Sequence, residues 1–385
     1  MRFELKEKTL VLYFDGELNS YNADGIEKEI EDIISKNKFE NLILDFSRLN
    51  YISSAGLRTI LKLKQRYNST KIVEASLEVY DVLSMTGFVN IMSVEKALKR
   101  VDVTGAEIVG EGFFSTVYRV DKDTIIKVFN RTSDTNQIQR ELHLSKQAFV
   151  LGIPTAISFD IVRVGDKLGV RFEMLDCDSL KNTYINNPNR YDELTDKYVN
   201  LLKTINTTES MDNELPDSKN AWLEKLNLIK PYFEADQFNK LEKLIEGIKD
   251  RNTFVHGDCH FKNIMVQKDE LILIDMDTLS HGHPIFELAA IYCPYVAFEE
   301  DDPGNVEKFL GVKYDFSTKL FNDIVTRYIG KNDEETFDKI RIVAYSHMMW
   351  WTLVNQKDNS KRFNGCKERL LKLLDKNYKN LDIGL

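Results

Sequence analysis

Short blocks of alternating hydrophobic and polar positions follow one another over the first hundred residues. In ADGIEKEIEDIISKN, apolar residues recur every three or four positions, as on one face of a helix. The strand-like run TLVLYFDGEL precedes it. Strand-like runs and helical patterns then alternate as NLILDFS, AGLRTILKLKQRY, TKIVEA and EVYDVLSMTG, and VEKALKR is predicted as a last helix. Such alternation with short joints implies parallel pairing, so it predicts a small α/β domain over residues 1–102.

A second pattern begins after the polar stretch VDVTGAE, where we place the domain boundary. Strand-like runs (EIVGEGFFSTVYRV, TIIKVFN, ISFDIVRV, KLGVRFEML) surround the helical pattern SDTNQIQRELHLSKQAFVLG. From about residue 178 helical patterns dominate, apart from loop and short strands at 254–277. Residues 103–385 are therefore predicted to form a two-lobed α+β domain, with a small lobe at about 103–176, a helical large lobe at about 177–385, and a cleft between them.

Composition narrows the class of protein. The chain has 385 residues, of which 43% are apolar and 29% charged, as in globular proteins with more than one core. It has no apolar run of about 18 residues, and its N-terminus lacks an apolar export segment. We therefore expect a cytoplasmic protein with no membrane partner. The four cysteines show no CxxC pairing, which argues against a disulfide framework or a zinc ribbon.

Charge is unevenly distributed between the two domains. Residues 1–100 carry 15 basic and 15 acidic side chains, so the net charge of −9 comes from residues 101–385. That sign disfavours nucleic acid as a partner. An acidic run in the second domain either attracts an amine-bearing substrate or forms a solvated loop: Glu299, Glu300, Asp301 and Asp302.

Two serines stand in YISSAGLR, where the strand-like LILDF gives way to a helix. By default a hydroxyl there is the N-cap of the helix. With GELNSYNADGIEKEI and EVYDVLSMTGFVNIM, however, this segment resembles in order the three signatures of STAS domains, the anti-sigma-factor-antagonist family. The resemblance covers nearly all of residues 1–100. It implies a protein partner for this domain and phosphorylation at Ser54, whereas Ser53 stands where antagonists commonly carry Asp.

Three features of the second domain together indicate a site for nucleotide phosphates. Gly110 and Gly112 mark a turn before Ser115, where backbone N–H groups can approach phosphate oxygens, although such turns also join ordinary hairpins. Lys127 interrupts the apolar run TIIKVF, either with an acidic partner or as an edge-strand lysine that reaches solvent. Glu141 on the next helix is the candidate partner, since a Lys–Glu pair of this kind holds the ammonium on the phosphates of ATP.

The segment FVHGDCHFKNIMV, residues 254–266, contains two histidines, an aspartate and a cysteine within five consecutive positions. Asp258 precedes Asn263 by five residues, and Asp275 follows twelve residues later, after a short hairpin. This is the spacing at which kinases place a base and two metal ligands. Asp277 is either a third acidic ligand or a turn cap.

The residue types of this segment also fit two other chemistries. A zinc cage of His256, His260 and Cys259 needs a helix to present both imidazoles on one face, and the β-like residues on either side favour a loop. Cys259 as a nucleophile with His260 as its base would require different directions from adjacent side chains.

The order of these motifs resembles the aminoglycoside phosphotransferase and choline kinase superfamily, whose signature is HGDxHxxN followed by IDxx. The resemblance covers residues 105 to about 295 and implies a protein-kinase-like fold that uses ATP and Mg²⁺. It implies that Asp258 is the catalytic base and that His260 lies near the transferred phosphoryl group. Asn263 and Asp275 would hold Mg²⁺, and His256 would brace the loop.

Two further segments take their interpretation from this resemblance. The backbone near Glu173 and Leu175, at the junction of the lobes, would bond adenine. LSHGHPIFELAA matches the family's GDPxxDLA at Gly282, Pro284 and Glu287. His283 replaces the usual Asp, so the contribution of that acid is open here.

The sequence therefore predicts an ATP- and Mg²⁺-dependent phosphotransferase for a hydroxyl of a small molecule, aminoglycoside-, choline- or sugar-like, fused to a STAS regulatory domain. One alternative is a regulatory protein that senses a nucleotide and docks a partner through the STAS domain. Another is a kinase that modifies a protein serine, including Ser54 of its own STAS domain.

Overall fold

The computed structural model of the chain describes residues 1–112, 115–130, 135–175, 177–210, 215–356 and 359–385. It contains two compact units. The first comprises Met1–Asp102 with Val162–Asp166, and the second comprises Val103–Ile161 with Lys167–Leu385.

The first unit is a five-stranded sheet with helices, in the strand order β1-β2-β3-β4-β5. β1 pairs antiparallel with β2, and the remaining neighbours pair in parallel. Apolar residues that alternate along the central strands face the helices and are fully buried. Its elements are β1 Arg2–Lys6, β2 Thr9–Leu18, α1 Ala23–Lys36, β3 Asn41–Ile52, α2 Ser54–Arg66, β4 Lys71–Ala75, α3 Leu77–Met85, β5 Val94–Lys96 and β6 Lys99–Arg100.

The helix predicted for VEKALKR is wrong, because the structure forms the short strands β5 and β6 there. Val94 pairs with Ile72 of β4, and the N–H of Ala97 donates to the carbonyl O of Ala75 at 2.7 Å. An open sheet edge offers this segment backbone partners from β4, and these tertiary hydrogen bonds override its local helix preference.

The strands of the second unit begin with an antiparallel sheet in which β10, β11, β9, β8 and β7 are neighbours in that order. Helix α4 follows β9 and carries residues that face the sheet. These elements are β7 Glu107–Glu111, β8 Ser115–Arg119, β9 Thr124–Phe129, α4 Thr135–Val150, β10 Ser158–Val164 and β11 Lys167–Glu173.

The rest of the second unit is mainly helical and shares one large core. Its helices are α5 Leu180–Asn186, α6 Tyr191–Thr207, α7 Ser218–Ile229, α8 Ala235–Glu246, α9 Pro284–Tyr292, α10 Phe298–Glu300, α11 Asn305–Leu310, α12 Tyr314–Ile329, α13 Glu334–Asn355 and α14 Ser360–Asp375. Short strands interrupt them at β12 Asp178–Ser179, β13 Phe254–Val255, β14 Ile264–Gln267, β15 Glu270–Leu273 and β16 Ser280–His281.

The hairpin β14–β15 positions the predicted catalytic segments. Its two turn residues, Lys268 and Asp269, have φ values of 48° and 72°, as in the tight turns that match strand twist. At its open end, the N–H of Ile274 donates to the carbonyl O of Asn263 at 2.9 Å. The segment before β14 and the segment after β15 therefore lie side by side.

Candidate active site

The HGDCHFKN segment is a loop whose backbone is fixed by hydrogen bonds to two buried side chains, Glu287 and His256. Glu287 accepts the N–H of His256 at 2.5 Å and that of Gly257 at 3.1 Å. His256 Nδ1 accepts the N–H of Asp258 at 3.2 Å, and Nε2 lies 3.3 Å from the carbonyl O of Ile274. These contacts assign the ring proton to Nε2. Burial lowers the pKa of His256 to about 4, so the ring that supports the loop is neutral.

Gly257 gives this loop its sharp turn. Its φ of +80° lies in the left-handed region that favours glycine. A Cβ there would lie 3.2 Å from the carbonyl O of Thr278, whose hydroxyl donates to the carbonyl O of His256 at 2.6 Å. A larger residue would therefore displace the loop from the segment that follows β15.

Asp258 and Asn263 contact each other across the loop. Asn263 Nδ2 donates to the carbonyl O of Asp258 at 3.0 Å and to its Oδ2 at 2.9 Å. The amide Oδ1 thereby remains an acceptor that can bind a cation. Desolvation by the surrounding protein, then the charge of Asp275, raise the pKa of Asp258 to about 7, although its side chain is 44% exposed. A carboxylate with such a pKa suits a general base near neutral pH.

Lys127 of β9, Glu141 of α4 and Asp275 after β15 meet at one point. Lys127 Nζ lies 2.6 Å from Asp275 Oδ1 and 3.3 Å from Glu141 Oε1. Burial disfavours the ammonium, but the Asp275 and Glu141 carboxylates outweigh it and raise the pKa of Lys127. Because Lys127 is only 9% exposed, it is a buried, paired lysine and not an edge-strand lysine that reaches solvent.

Asp275 and Asp277 form a strained acidic pair beside this lysine. The φ of Asp275 is 65°, which is uncommon for a residue with a Cβ and typical of functional sites. Burial opposes its charge, yet Lys127 holds the pKa of Asp275 below its usual range. Burial and the charge of Asp275 raise the pKa of Asp277 to about 7. Two carboxylates that repel in this way are typical of a cation site.

The oxygen donors here suit Mg²⁺ rather than zinc. Asn263, Asp275 and Asp277 carry hard oxygen donors, and Mg²⁺ needs one or two protein carboxylates because phosphates and waters complete its shell. Zinc requires three or four ligands from the protein. Within the described ranges no three His, Cys, Asp or Glu side chains gather into such a cage.

His260 lies beside Asp258 and has a neutral ring. It is buried, and its Nε2 is 3.6 Å from Asp258 Oδ1. Burial, then the nearby Lys262 charge, lower its pKa to about 4. The ring meets Phe309 edge to face, with centroids 5.4 Å apart. His260 can therefore offer a hydrogen bond at neutral pH, but no positive charge.

Two buried tyrosines, which the sequence motifs do not predict, form hydrogen bonds to the middle of the loop. Tyr198 of α6 donates its hydroxyl to the carbonyl O of Cys259, and Tyr295 accepts the N–H of Phe261 at 3.0 Å. Cys259 is fully buried, and burial raises its pKa, so it is unsuited to be a nucleophile. The tyrosines are 61 and 34 residues away in sequence, and no local pattern distinguishes them from other core aromatics.

The glycine hairpin differs in part from its predicted form. Gly110 lies within strand β7, at an irregularity of its ladder with β8, and not in the turn. Gly112 donates its N–H to the carbonyl O of Ser115 at 2.9 Å. Residues 113 and 114 lie outside the described residues, so the tip of the predicted phosphate loop is not placed.

Of the backbone groups predicted to contact adenine, the N–H of Glu173 already has a partner within the protein. Glu173 donates its N–H to the carbonyl O of Ile157 at 2.9 Å, and its Oε1 accepts the N–H of Ile157 at 2.7 Å. Its N–H is therefore engaged within the sheet. Leu175 is buried, and Asp176 after it lies outside the described residues.

His283 and Pro284 begin helix α9, which carries Glu287 to the loop. His283 is the N-cap, and its Nδ1 accepts the N–H of Ile285 at 3.2 Å. An Asp would accept the same bond, so the replacement in this chain preserves the start of the helix and the placement of Glu287.

Two family models match the chain, one for each unit. The STAS domain matches residues 1–101, and the phosphotransferase enzyme family, APH, matches residues 105–314. The chain belongs to the phosphotransferase enzyme family. It is a kinase that acts on a hydroxyl group, fused to a STAS domain. Both predicted resemblances and the predicted fold class are thereby confirmed.

Relatives of the STAS part are anti-sigma factor antagonists by name. One is BtrV of Bordetella bronchiseptica, 35% identical over 89 residues, which are 22% of this chain and 76% of that protein. Another is the anti-sigma F factor antagonist of Paenibacillus polymyxa, 24% identical over 89 residues with the same coverage.

Solved structures similar to the phosphotransferase include two kinases. The ternary complex of streptomycin, ATP and APH(2")-IIa is 14% identical, with a TM-score of 0.46, and the match covers 80% of this chain and 98% of that one. A choline/ethanolamine kinase family protein of Mesorhizobium loti is 10% identical, with a TM-score of 0.46 and coverage of 70% and 87%. The family assignment depends on the sequence match, since both TM-scores lie below 0.5.

The acidic run of the phosphotransferase is not the solvated loop that composition suggested. Glu299 accepts the N–H groups of Gly304 and Val306 at 2.6 and 3.0 Å. Asp301 is 8% exposed and pairs with Arg369. The remaining two acids have partners as well: Glu300 binds Arg369 and the hydroxyls of Tyr292 and Tyr345, and Asp302 binds Arg362.

In the STAS unit the two serines have separate positions. Ser53 is the N-cap of α2, and its side chain accepts the N–H of Gly56 at 3.4 Å. Ser54 is the first residue of the helix and is exposed. The residue that replaces the family's Asp therefore performs the capping, which leaves Ser54 accessible.

Among the described residues, no helix combines the length and the apolar character needed to cross a bilayer.

Proposed function

We propose that the enzyme transfers the γ-phosphate of ATP, with Mg²⁺, to a hydroxyl of a small molecule that is aminoglycoside-, choline- or sugar-like. The observation that carries this proposal is the convergence of four predicted groups. Asn263 contacts Asp258, Lys127 contacts Asp275, and the backbone of Asn263 is bonded next to Asp275 through Ile274. This convergence of residues from distant parts of the sequence supports their proposed roles as base, metal ligands and phosphate-binding lysine.

Each group has a stated part in binding. Lys127, oriented by Glu141, would hold the α- and β-phosphates, and the β7–β8 hairpin with Gly110, Gly112 and Ser115 would lie over them. Asn263 Oδ1 and the carboxylate of Asp275 would hold Mg²⁺, which neutralises charge on the phosphate oxygens when bound. Leu175 remains the predicted contact to adenine.

The chemical step needs little beyond positioning. The acceptor oxygen attacks the γ-phosphorus, and the bond from that phosphorus to the bridging oxygen breaks, so that ADP leaves with the electron pair. The proton of the acceptor hydroxyl passes to a carboxylate oxygen of Asp258. Neutral His260 can donate a hydrogen bond to the transferred group, which places its contribution in orientation rather than charge.

A direct test is phosphate transfer to a panel of aminoglycosides, choline, amino-alcohols and sugars, with Mg²⁺ present or chelated. We expect product and ADP in equal amounts, and a loss of about 10²–10⁴-fold in Asp258→Ala. Equal activity of wild type and Asp258→Ala would contradict the assignment of the base. Turnover that persists without divalent ions would contradict the role of Mg²⁺.

A second candidate function is regulation through the STAS domain. The exposure of Ser54 at the first position of α2 favours it, since a helix N-terminus stabilises a phosphate and two added charges change a docking face. The modifying kinase would be a partner or the enzyme itself. Mass spectrometry of the protein after incubation with ATP tests self-modification, and an unmodified Ser54 during turnover would exclude it.

A further inference from the structure

Two lysines border the catalytic loop on the side of Asp258, and neither has a part in the binding of nucleotide described above. Lys262 belongs to the loop itself, between His260 and Asn263. Lys181 is on α5, and its N–H donates to the carbonyl O of Phe261 at 3.3 Å. Both lysines are therefore tied to the backbone of the loop that carries the base.

Both ammonium groups face one short segment at the end of α11. Lys262 Nζ donates to the carbonyl O of Phe309 at 2.9 Å and lies 4.8 Å from the centroid of its ring. Lys181 Nζ packs over Gly311, where an added Cβ would be 3.4 Å from the nitrogen. Since the ring of Phe309 also contacts His260, this segment adjoins the reacting groups.

The two ammonium groups lie at the same end of α11, that of Lys262 at Phe309 and that of Lys181 at Gly311. In the part of the chain that the structure describes, no carboxylate forms an ion pair with either lysine. Like charges held together without a paired acid favour an anionic ligand.

The acids that would attract an amine are already engaged. In the run from 299 to 302, Glu299 binds backbone N–H groups, and Asp301 and Asp302 bind Arg369 and Arg362. The carboxylates of this run are therefore not available to an amine, whereas Lys262 and Lys181 present ammonium groups at the end of α11.

We propose that the hydroxyl acceptor carries a carboxylate or phosphate group, which Lys262 and Lys181 bind while its hydroxyl faces Asp258. This inference rests on the proposed phosphotransfer and narrows it, because it disfavours polycationic acceptors such as aminoglycosides. The two lysines determine specificity and take no part in the transfer of the proton.

Acceptors that differ in the charge of one terminal group provide the test. Three series are used: glucuronate, glucose and 6-amino-6-deoxyglucose; glycerate, glycerol and 3-amino-1,2-propanediol; glycolate, ethylene glycol and ethanolamine. Binding to the full-length protein with ADP and Mg²⁺ is measured by calorimetry, and kcat/KM is measured separately with ATP. We expect an anionic member to bind about tenfold more tightly than its amine counterpart, and Lys262→Glu or Lys181→Glu to reverse that order.

Lys203→Gln, which removes an exposed lysine of α6, is the control and should leave the preference unchanged. If no anionic member binds better than its amine counterpart, the proposal is wrong. It is equally wrong if Lys262→Gln raises the KM for ATP and leaves the acceptor preference intact, since the lysine then serves the phosphate donor. If anions bind preferentially but no phosphate is transferred, the proposed phosphotransfer is wrong and the anionic ligand site stands. Failure of the acceptor proposal and failure of the proposed function are therefore distinguishable.

Discussion

Two groups of acidic side chains in the phosphotransferase unit differ in how their charge is balanced. In the cleft, Lys127 contacts Asp275 and Glu141, while Asp258 and Asp277 have pKa values raised to about 7 by desolvation and by Asp275. Behind α10, by contrast, Glu300, Asp301 and Asp302 meet two guanidinium groups, those of Arg369 and Arg362.

The contrast separates a reactive site from a structural one. Buried carboxylates that lack enough cationic partners cost free energy, and a fold retains them where a bound cation and charged substrates complete the balance. Carboxylates that form ion pairs with arginine and accept hydrogen bonds from tyrosine already have their charge compensated within the protein. Proximity of acids in the sequence does not make this distinction, since the run 299–302 is denser in acids than the catalytic loop.

The largest expected effect is on catalysis. Asp275→Asn should lower kcat by about 10²–10³-fold, because it removes the carboxylate proposed to hold the Mg²⁺ that neutralises the phosphates. Asp302→Asn is the matched control and should keep kcat within about twofold. Steady-state assays with a saturating acceptor measure both. Equal losses of kcat in the two variants would show that the two groups of acids do not differ in their importance for catalysis.

Arg369→Leu should destabilise the fold by about 3 kcal/mol, because it leaves the buried Asp301 and the partly buried Glu300 without their cation. Urea unfolding measures this change. Lys372→Leu on the same helix removes only an exposed pair with Glu368 and should change stability by less than about 1 kcal/mol. If Arg369→Leu proves as mild as Lys372→Leu, the second cluster is not structural.

Glu287 is a buried acid with no cationic partner among the described residues, and its contribution to stability should depend on pH. Burial raises the pKa of Glu287 to about 7, above the value of about 4.3 in an unfolded chain. The folded state therefore binds the extra proton between these values, and stability from this group falls as pH rises from about 4.3 to 7. Relative to Glu287→Gln, the wild type should lose on the order of 1–3 kcal/mol across that window. A difference that stays constant with pH would show that Glu287 is ionised throughout.

The smallest effect concerns the packing of Asp301. A Cβ at Gly365 would lie 1.9 Å from Asp301 Oδ1, so Gly365→Ala should destabilise by about 1–3 kcal/mol despite the better helix propensity of alanine. At Gly25 of α1 no atom lies within 4 Å of an added Cβ, and Gly25→Ala should stabilise by up to about 1 kcal/mol. Thermal unfolding measures whether each variant is less or more stable than the wild type. A stabilising Gly365→Ala would refute the close packing of Gly365 against Asp301.

The sequence alone predicted most elements that have a regular pattern. Helix α1 and strand β2 follow from apolar spacing, and the order Lys127, Glu141, Asp258, Asn263, Asp275 follows from motifs whose residue types are dictated by their chemistry. Local pattern failed where backbone partners come from elsewhere, as in the segment VEKALKR, whose first residues pair with β4 and form strand β5.

Only the tertiary structure decided which charged residues are free to act. It placed Arg369 and Arg362 on the acidic run, brought Lys181 and Lys262 to the same end of α11, and assigned the capping of α2 to Ser53 rather than Ser54. A sequence shows the type and spacing of charges along the chain, whereas their pKa values and availability depend on burial and on partners tens of residues away. For this reason the family and the catalytic motif were readable from the sequence, and the charge expected of the acceptor was not.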